Sequence, residues 1–523
     1  MVKRRSADRD EPDRTRGVRL GERDGRRSST RYGSAVVAGS LRSTDPALAD
    51  EVEAGRDWRR EYAGHLARST TLAASATSAV RIARDGLAAA HAQAAFVDDE
   101  GNETPLDEWR RTADVAAAPA LGSTTVEGTG ERLERVEVPY RGAVLSGAVL
   151  LRQLDTWVAD GVVEPGFAAA IARVEAHPEW LRLPGHQVVL LGAGAAMGPL
   201  PSLVRWGADV VAVDVPVPRV WERIAGLARA GAGRVTAPVR EDAAGPGVPG
   251  VHVAQDLAAL RRWLAERHDG HHDGHAGPAR VLGTHLYADG TAHVELTLAA
   301  DVLAQDVAGA ADGVLAYLNT PTDSFLVPEA VMAHARERAD DRTWNGTVHR
   351  AARRASGDRL FRPGYATTYA DEQGERWGLV DTLVDVQGPN YALAKRMQRW
   401  RGVVNAADGR PTSTTVAPAS WTRSVTKNRV LASVYAGAHR FGVEIFQPET
   451  AAALMAAKLV ADVHDGPRPA AHPEALFSST AVHGGLWRQP FEPRSALGVA
   501  ALVGGPGTLA RALPVPRRTG TRG

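Results

Sequence analysis

The chain has 523 residues, 62 Lys and Arg against 61 Asp and Glu, and no cysteine. A chain of this length exceeds the size of a single hydrophobic core, so we expect two or three folding units. The balanced charge argues against binding to nucleic acid or to an anionic membrane, and the missing cysteines exclude disulfides and thiolate metal sites.

In chain order, the two ends differ from the middle of the sequence. Residues 1–45 are charged and poor in large apolar side chains, which predicts a disordered tail, and residues 511–523 have the same character. Residues 46–184 are rich in alanine with charges at helical spacing, and predict a mainly helical N-terminal domain. Residues 446–510 predict a helical C-terminal segment.

Residues 185–445 alternate between short apolar segments and helical segments, which predicts an α/β domain with a doubly wound parallel sheet. The first unit consists of a strand at Val188–Leu191, a glycine-rich turn, a helix that runs through Trp206, and a strand at Val210–Val213. We expect an insertion in this domain at about residues 325–375.

The glycine-rich turn predicts where a nucleotide would bind. Gly192 permits a tight exit from the strand, and Gly194 lets the backbone approach a pyrophosphate without a clashing Cβ. A helix that begins near Ala196 would direct free N–H groups at the phosphates. Asp214, at the end of the second strand, can accept hydrogen bonds from ribose hydroxyls and would repel a 2′-phosphate, so we expect NAD rather than NADP. The alternative is a tight turn without a ligand.

A second acidic residue ends a later strand. In sheets of this kind, Asp256 can contact the adenine amino group while Leu257 packs on the ring. The alternative for Asp256 is that it caps the helix that follows.

Tyr391 and Lys395 form the second constellation. Their spacing of four residues puts both on one face of a helix. The tyrosine pKa is ordinarily about 10, and a nearby ammonium stabilises the phenolate and lowers that pKa, which makes tyrosine a usable proton donor or acceptor. The alternative is an amphipathic helix with a solvated lysine.

These motifs together resemble the short-chain dehydrogenase/reductase superfamily, whose sheet is Rossmann-like. AGAAMGPL (Ala193–Leu200) is similar to that family's glycine turn, with Gly194 and Gly198 matched and Met197 at the usual third glycine of GxGxxG. GPNYALAK is similar to the active-site helix of the family. The resemblance covers roughly residues 186–425.

The resemblance implies roles for several residues. Tyr391 would be the general acid/base, and Lys395 would bind the nicotinamide ribose. The substrate-orienting hydroxyl would come from Thr382, with Ser324 a second choice. Asn319 lies in the stretch closest to the family's asparagine motif.

The sequence therefore predicts an NAD-dependent oxidoreductase that moves hydride to or from a carbonyl or alcohol carbon. An S-adenosylmethionine methyltransferase is an alternative, because any Rossmann-like sheet that binds an adenosine ribose needs the same turn and acid. A non-catalytic nucleotide-binding or scaffold protein is a third hypothesis. A methyltransferase has no use for Tyr391 and Lys395.

Two further features bear on metals and location. The run Glu266–Gly277 concentrates histidines that could bind Zn or Ni, but its Gly and Asp content favours a surface loop, so we predict no metal site. The N-terminus has no secretory signal and no apolar segment is a convincing span, so we expect a soluble cytoplasmic protein with a small-molecule substrate, and a homo-oligomer stays open.

Overall fold

The protein has an α/β fold built on a mixed, mostly parallel central sheet. The computed structural model describes residues 15–22, 24–242, 245–269, 278–310, 312–340, 344–467 and 472–505. The predicted C-terminal tail, residues 511–523, and the first fourteen residues lie outside this described part.

The N-terminal third contains helices and short strands. Its elements are β1 (Gly17–Leu20), α1 (Ser29–Leu41), α2 (Pro46–Ala54), α3 (Trp58–Leu72), α4 (Ala76–Ala92), β2 (Ala94–Val97), β3 (Glu103–Pro105), α5 (Leu106–Thr112), β4 (Gly122–Glu127), β5 (Val138–Tyr140), β6 (Ala143–Leu145), α6 (Gly147–Ala159) and α7 (Pro165–Ala176). Strands β1, β2 and β3 form a small antiparallel sheet. The prediction of a disordered tail over residues 1–45 is wrong from residue 15 onward, because β1 and α1 lie there and bury Val18 and Leu20.

The central part of the chain forms most of the main sheet. Its elements are β7 (His186–Leu191), α8 (Leu200–Trp206), β8 (Asp209–Val213), α9 (Pro218–Ala230), β9 (Arg234–Asp242), β10 (Gly245–Pro249), α10 (Leu257–Asp269), β11 (Ala279–Thr284), α11 (Thr291–Gly309) and β12 (Val314–Asn319). The predicted strands at Val188–Leu191 and Val210–Val213 are confirmed as β7 and β8.

The remaining elements lie between and after the last sheet strands. They are β13 (Ser324–Pro328), α12 (Glu329–Asp340), α13 (Trp344–Ala355), β14 (Thr368–Ala370), β15 (Arg376–Asp381), α14 (Pro389–Ala407), β16 (Thr412–Val416), α15 (Arg423–Lys427), α16 (Arg429–Ala438), α17 (Pro448–Asp465), α18 (Ala475–Ser478) and α19 (Pro493–Val503). Within the described residues, the predicted C-terminal segment is helical in α17, α18 and α19. None of the described helices is both long and apolar enough to cross a membrane.

In the described part of the chain, eight strands form the central sheet, in the order β10-β9-β8-β7-β11-β12-β16, with β4 also paired to β9. The strands from β9 to β16 in this order are parallel to one another, whereas β10 and β4 run antiparallel to β9. Successive parallel strands are connected through helices, as parallel pairing requires.

Both faces of this sheet are covered. Val189 and Leu191 of β7 pack into a core shared with α10, α11 and α14, while Val188 and Leu190 point into a second core with α8, α9 and α17. This two-sided burial explains why the strand is an unbroken apolar run rather than an alternating one.

The N-terminal helices share a core with the sheet, so the predicted boundary at residue 184 does not separate two cores. Residues of α1, α3 and α4 pack in the same cluster as α11 and α14, and β4 adds an edge strand to the sheet. At the contact between α4 and α14, a Cβ on Gly86 would lie 2.6 Å from the Trp400 ring, so a side chain at this position would force the helices apart.

The predicted insertion is longer than expected and forms a sheet of its own. Strands β13, β15 and β14 pair antiparallel, in that order, between β12 and α14. The insertion therefore extends over residues 320–388 rather than about 325–375. Arg396 of α14 anchors it through a buried ion pair with Asp323 at 2.5 Å.

Candidate functional site

A cleft of about 340 Å³ opens at the carboxyl edge of the sheet, between β7 and β11. Its walls come from the turn after β7, the residue after β8, the loop at residues 251–255, the residues after β11, the first turns of α11, and β1. The chain runs to one side of β7 through β8 and β9 and to the other side through β11 and β12, so the cleft lies where the strand order reverses.

The glycine turn forms one wall as predicted for Gly192 and Gly194. Gly192 has φ +81, and a Cβ there would lie 2.8 Å from the carbonyl oxygen of His285. The Gly194 N–H donates to Oδ2 of Asp214 at 2.7 Å, and a Cβ on Gly194 would crowd that oxygen at 3.0 Å. Only glycine fits at either position without displacing the neighbouring backbone or the carboxylate.

Asp214 lies beside Gly194 in the same wall of the cleft. Burial raises the pKa of its carboxyl, and the N–H groups of Gly194 and Val215 oppose that effect by donating to Oδ2 and Oδ1, the second at 2.8 Å. Each carboxylate oxygen accepts one of these bonds and retains capacity for another. The side chain can therefore still accept two hydroxyl groups from a ligand in the cleft.

The rest of the turn differs from the prediction. Helix α8 begins at Leu200, so the helix start expected near Ala196 is wrong, and the intervening residues form a longer loop. Met197 packs against the apolar core, and the Gly198 N–H donates to the Ala195 carbonyl at 3.1 Å. These contacts stabilise the loop away from the cleft, whereas Gly192 and Gly194 line the cleft.

Asp256 and Leu257 do not take the places expected of an adenine pocket. Leu257 is completely buried in the core. The Asp256 carboxylate pairs with Arg240 and with Arg16, and accepts the His252 N–H at 2.9 Å. The neighbouring segment at residues 251–255 lines the cleft instead.

Strand β1 supplies a wall that the sequence did not indicate. The Val18 N–H donates to the Ala254 carbonyl at 2.8 Å, and Arg19 pairs with Glu295 of α11 at 3.3 Å. Arg16 and Arg19 both line the cleft. Gly17, with φ +81, allows close contact, because a Cβ would lie 2.3 Å from the Ala254 oxygen.

Tyr391 and Lys395 lie on the first turns of α14, as predicted. The Lys395 Nζ donates to Oε1 of Gln398 at 3.0 Å and to the Leu318 carbonyl at 3.4 Å, and burial lowers the lysine pKa to about 8. Burial raises the pKa of Tyr391, although a hydrogen bond with Thr320 acts in the opposite direction. The prediction that Lys395 brings the tyrosine pKa below its ordinary value is therefore wrong in this structure.

Two residues near Tyr391 were missed by the sequence analysis. The imidazole of His293, on the first turn of α11, stacks on the Tyr391 ring with a centroid distance of 5.7 Å and an angle of 18° between planes. The ring centroid of Tyr287 lies 5.3 Å from that of His293 and 6.3 Å from that of Tyr391, and Tyr287 also lines the cleft. Tyr287 therefore contacts both the cleft and the Tyr391 ring. The one signal in the sequence was that both residues follow β11, Tyr287 in the loop and His293 on the next helix, near the carboxyl edge of the sheet.

His285 directly follows β11 and lines the same cleft as Tyr287. Its backbone N–H donates to the Leu191 carbonyl at 2.8 Å and so continues the pairing of β11 with β7. Burial lowers the pKa of His285 to about 3, with a further contribution from the Lys395 charge. The ring is neutral at ordinary pH.

Thr382 is not brought to Tyr391 in the expected way. It follows β15, which belongs to the separate antiparallel sheet. Its hydroxyl lies 2.6 Å from both the Pro321 and Asp323 carbonyls. Thr382 thereby stabilises the loop that carries Thr320, while the Ser324 hydroxyl is bound to Thr70 at 2.8 Å.

Asn319 also has a structural place. It ends β12 and its side chain donates to the Thr414 hydroxyl of the adjacent β16 at 2.6 Å. Thr320, the next residue, is the one in this stretch that reaches Tyr391.

The described residues contain no group of three or more His, Asp or Glu side chains placed to hold a metal ion. Most of the histidine-rich run, residues 270–277, lies outside them. Comparison of the chain with known protein families and with curated proteins finds no match.

Proposed function

We propose that the protein is an NAD-dependent oxidoreductase that transfers hydride to or from a carbonyl or alcohol carbon. The proposal is carried by the cleft between β7 and β11 with Gly192, Gly194 and Asp214 on its wall. Numbered by their position in the chain, the parallel strands β9-β8-β7-β11-β12-β16 run 3-2-1-4-5-6. This is the order of the Rossmann arrangement, in which dinucleotides bind where the order reverses.

The chemistry of this wall fits an adenosine dinucleotide. Gly192, Gly194 and Asp214 line the cleft together, and Asp214 keeps acceptor capacity for ribose hydroxyls. A carboxylate at this place repels a 2′-phosphate, which favours NAD over NADP. Arg16 and Arg19 also line the cleft, where each is held in an ion pair, with Asp256 and Glu295 respectively.

Tyr391 would handle the proton. Reduced nicotinamide, when bound, supplies hydride to the carbonyl carbon. Because burial raises its pKa, Tyr391 retains its proton at neutral pH and is suited to donating it to the oxygen of a carbonyl group. This favours reduction of an aldehyde or ketone over oxidation of an alcohol. Lys395, protonated below about pH 8, adds positive charge to the same end of the site.

The test combines binding with turnover. We expect NADH to raise the melting temperature, NADPH to raise it less, and S-adenosylmethionine to leave it unchanged. Tyr391→Phe should retain NADH binding and lose NADH-dependent reduction of aldehydes, whereas the matched control Tyr369→Phe, in the separate sheet at β14, should retain both. Equal activity in Tyr391→Phe would remove this residue from the mechanism.

A methyltransferase is the second candidate, because Tyr287 is among the described residues that line the cleft and Tyr391 is not. A ligand that stops at this point would use the glycine turn and Asp214 without reaching the tyrosine. Stabilisation by S-adenosylmethionine alone would overturn the oxidoreductase proposal. A response to none of the ligands would favour a scaffold protein.

A further inference from the structure

The imidazole of His293 carries a hydrogen-bond donor in a defined place. The residue is 1% exposed, and its Nδ1 accepts the Ala288 N–H at 3.0 Å. In a neutral imidazole, a nitrogen that accepts a hydrogen bond has no proton, so the proton of His293 is on Nε2. This tautomer is fixed by the backbone at the start of α11.

The ring stays neutral over the range in which enzymes are assayed. Burial lowers the pKa of His293 to about 3, and the charge of Lys395 lowers it further in the same direction. His293 is therefore not a general base or a cation here. It presents a neutral N–H group beside Tyr391.

This N–H group has no acceptor among the described residues. Buried donors are almost always satisfied, and an unsatisfied one destabilises the fold. His293 stacks on Tyr391 with ring centroids 5.7 Å apart, so the unsatisfied donor belongs to a ring that packs against the tyrosine. An acceptor supplied by a ligand would satisfy it.

His285 differs in this respect. Its Nε2 also lacks an acceptor among the described residues, but it lies only 3.1 Å from the position of a Cβ built on Gly283 of its own strand. The His285 ring thus lies back along β11, and the missing Cβ of Gly283 makes room for it. Of the two imidazoles, His293 is the one that stacks on Tyr391.

We propose that His293 is a second catalytic residue, whose Nε2–H donates a hydrogen bond to the same substrate oxygen that Tyr391 protonates. This inference rests on the proposed oxidoreductase function. Bound NADH would supply hydride to the carbonyl carbon and become NAD⁺. As the π electrons of the C=O bond move to oxygen, that oxygen would take the proton from Tyr391 Oη, which is left as a phenolate that solvent reprotonates. His293 keeps its own proton and stabilises the charge that develops on oxygen. A carbonyl oxygen has two lone pairs and accepts both donors.

Two substitutions separate this role from a structural one. His293→Asn retains an acceptor near the Nδ1 position for the Ala288 N–H but withdraws the donor at Nε2. His293→Gln places an amide N–H near the Nε2 position. We expect His293→Asn to lower kcat for NADH-dependent reduction of benzaldehyde or cyclohexanone by about 100-fold, with an unchanged Kd for NADH, and His293→Gln to recover about tenfold of that loss.

The outcomes distinguish the two proposals. Wild-type protein that fails to bind NADH, or binds it and reduces neither probe, overturns the oxidoreductase function and the role of His293 with it. Active wild type with His293→Asn at a similar kcat overturns the role of His293 alone. Equal losses in the Asn and Gln variants also overturn it, since a purely structural residue would behave in this way.

The tautomer gives a readout independent of activity. In protein labelled with ¹⁵N-histidine, the ring signals lost in His293→Asn identify His293. We expect the Nε2–H tautomer from about pH 5 to 9, because the pKa lies far below this range. An Nδ1–H tautomer, or a titration in this range, would overturn the proposal.

Discussion

Replacing Lys395 by methionine should stabilise the protein while it removes a residue of the candidate site. The ammonium is buried, and its pKa falls from 10.5 to about 8. Each tenfold change in proton affinity is worth about 1.4 kcal/mol, so the buried charge costs about 3 kcal/mol of folding stability near neutral pH. Lys395→Met removes that cost. It also leaves Gln398 Oε1 without its lysine donor, which offsets the gain by about 1 kcal/mol at every pH.

The pH dependence is the sharper readout. The folded protein binds fewer protons at Lys395 than the unfolded chain between about pH 8 and 10.5, so wild-type stability rises with pH across this window. The buried-charge cost falls from about 3 kcal/mol at pH 6.5 to about 1.4 kcal/mol at pH 9.5. The advantage of Lys395→Met should shrink by the difference, as measured by urea unfolding followed through tryptophan fluorescence.

Lys458 provides a matched control among the four lysines of the chain. It is 3% exposed and its Nζ lies 2.5 Å from both oxygens of Asp462. Lys458→Met leaves that carboxylate without its partner and should destabilise the protein at both pH values. If Lys395→Met gains no more at pH 6.5 than at pH 9.5, the lysine is not a buried, desolvated cation and the reasoning fails.

Three further substitutions test other parts of the structure. Asp214→Ser should weaken NADH binding by about 10–100-fold in a fluorescence titration and reduce the preference of the protein for NADH over NADPH. Unchanged affinities for both would exclude a contact between Asp214 and the ribose. Gly283→Ala should cost about 1–3 kcal/mol in urea unfolding, because its Cβ would lie 3.1 Å from His285 Nε2, and an unshifted midpoint would contradict the crowding. Burial alone would raise the pKa of Asp301, but its ion pair with Arg401 lowers this pKa below the value in the unfolded chain. The carboxylate therefore stabilises the protein above its unfolded pKa, and this contribution is lost as the pH falls through the folded pKa. Asp301→Asn should cost about 3–5 kcal/mol of folding stability at neutral pH and make that stability less dependent on pH in acid, as measured by urea unfolding.

The glycine turn and the strands around it were accessible to prediction because their signals are local. An unbroken apolar strand, Gly192, Gly194 and Asp214 at the end of the next strand specify one strand–helix–strand unit, in which Gly194 and its partner Asp214 are 20 residues apart. Parallel pairing then places those residues at one edge of the sheet. The same logic does not locate Thr382, because a local pattern cannot tell which of two sheets the preceding strand β15 joins.

The wall formed by β1 could not be predicted in this way. It lies in an N-terminal stretch rich in charged residues and packs on distant partners, Ala254 and Glu295, which local composition does not indicate. The importance of His293 is equally invisible in the sequence. A histidine on a helix has no distinguishing pattern until the fold brings the Ala288 N–H to its Nδ1 and the Tyr391 ring against its face.

The contribution of β1 to the cleft has a consequence for how the protein is made. Arg16 and its partner Asp256 are 240 residues apart in the chain. At ribosomal rates of roughly 5–20 residues per second, the N-terminal strand would emerge roughly 10–50 s before the loop on which it packs. During that interval β1 can pair with β2 but not with Ala254. The wall between β1 and residues 251–255 can therefore form only when about half of the 523 residues have been synthesised. Nascent chains that end before residue 251 should lack this wall.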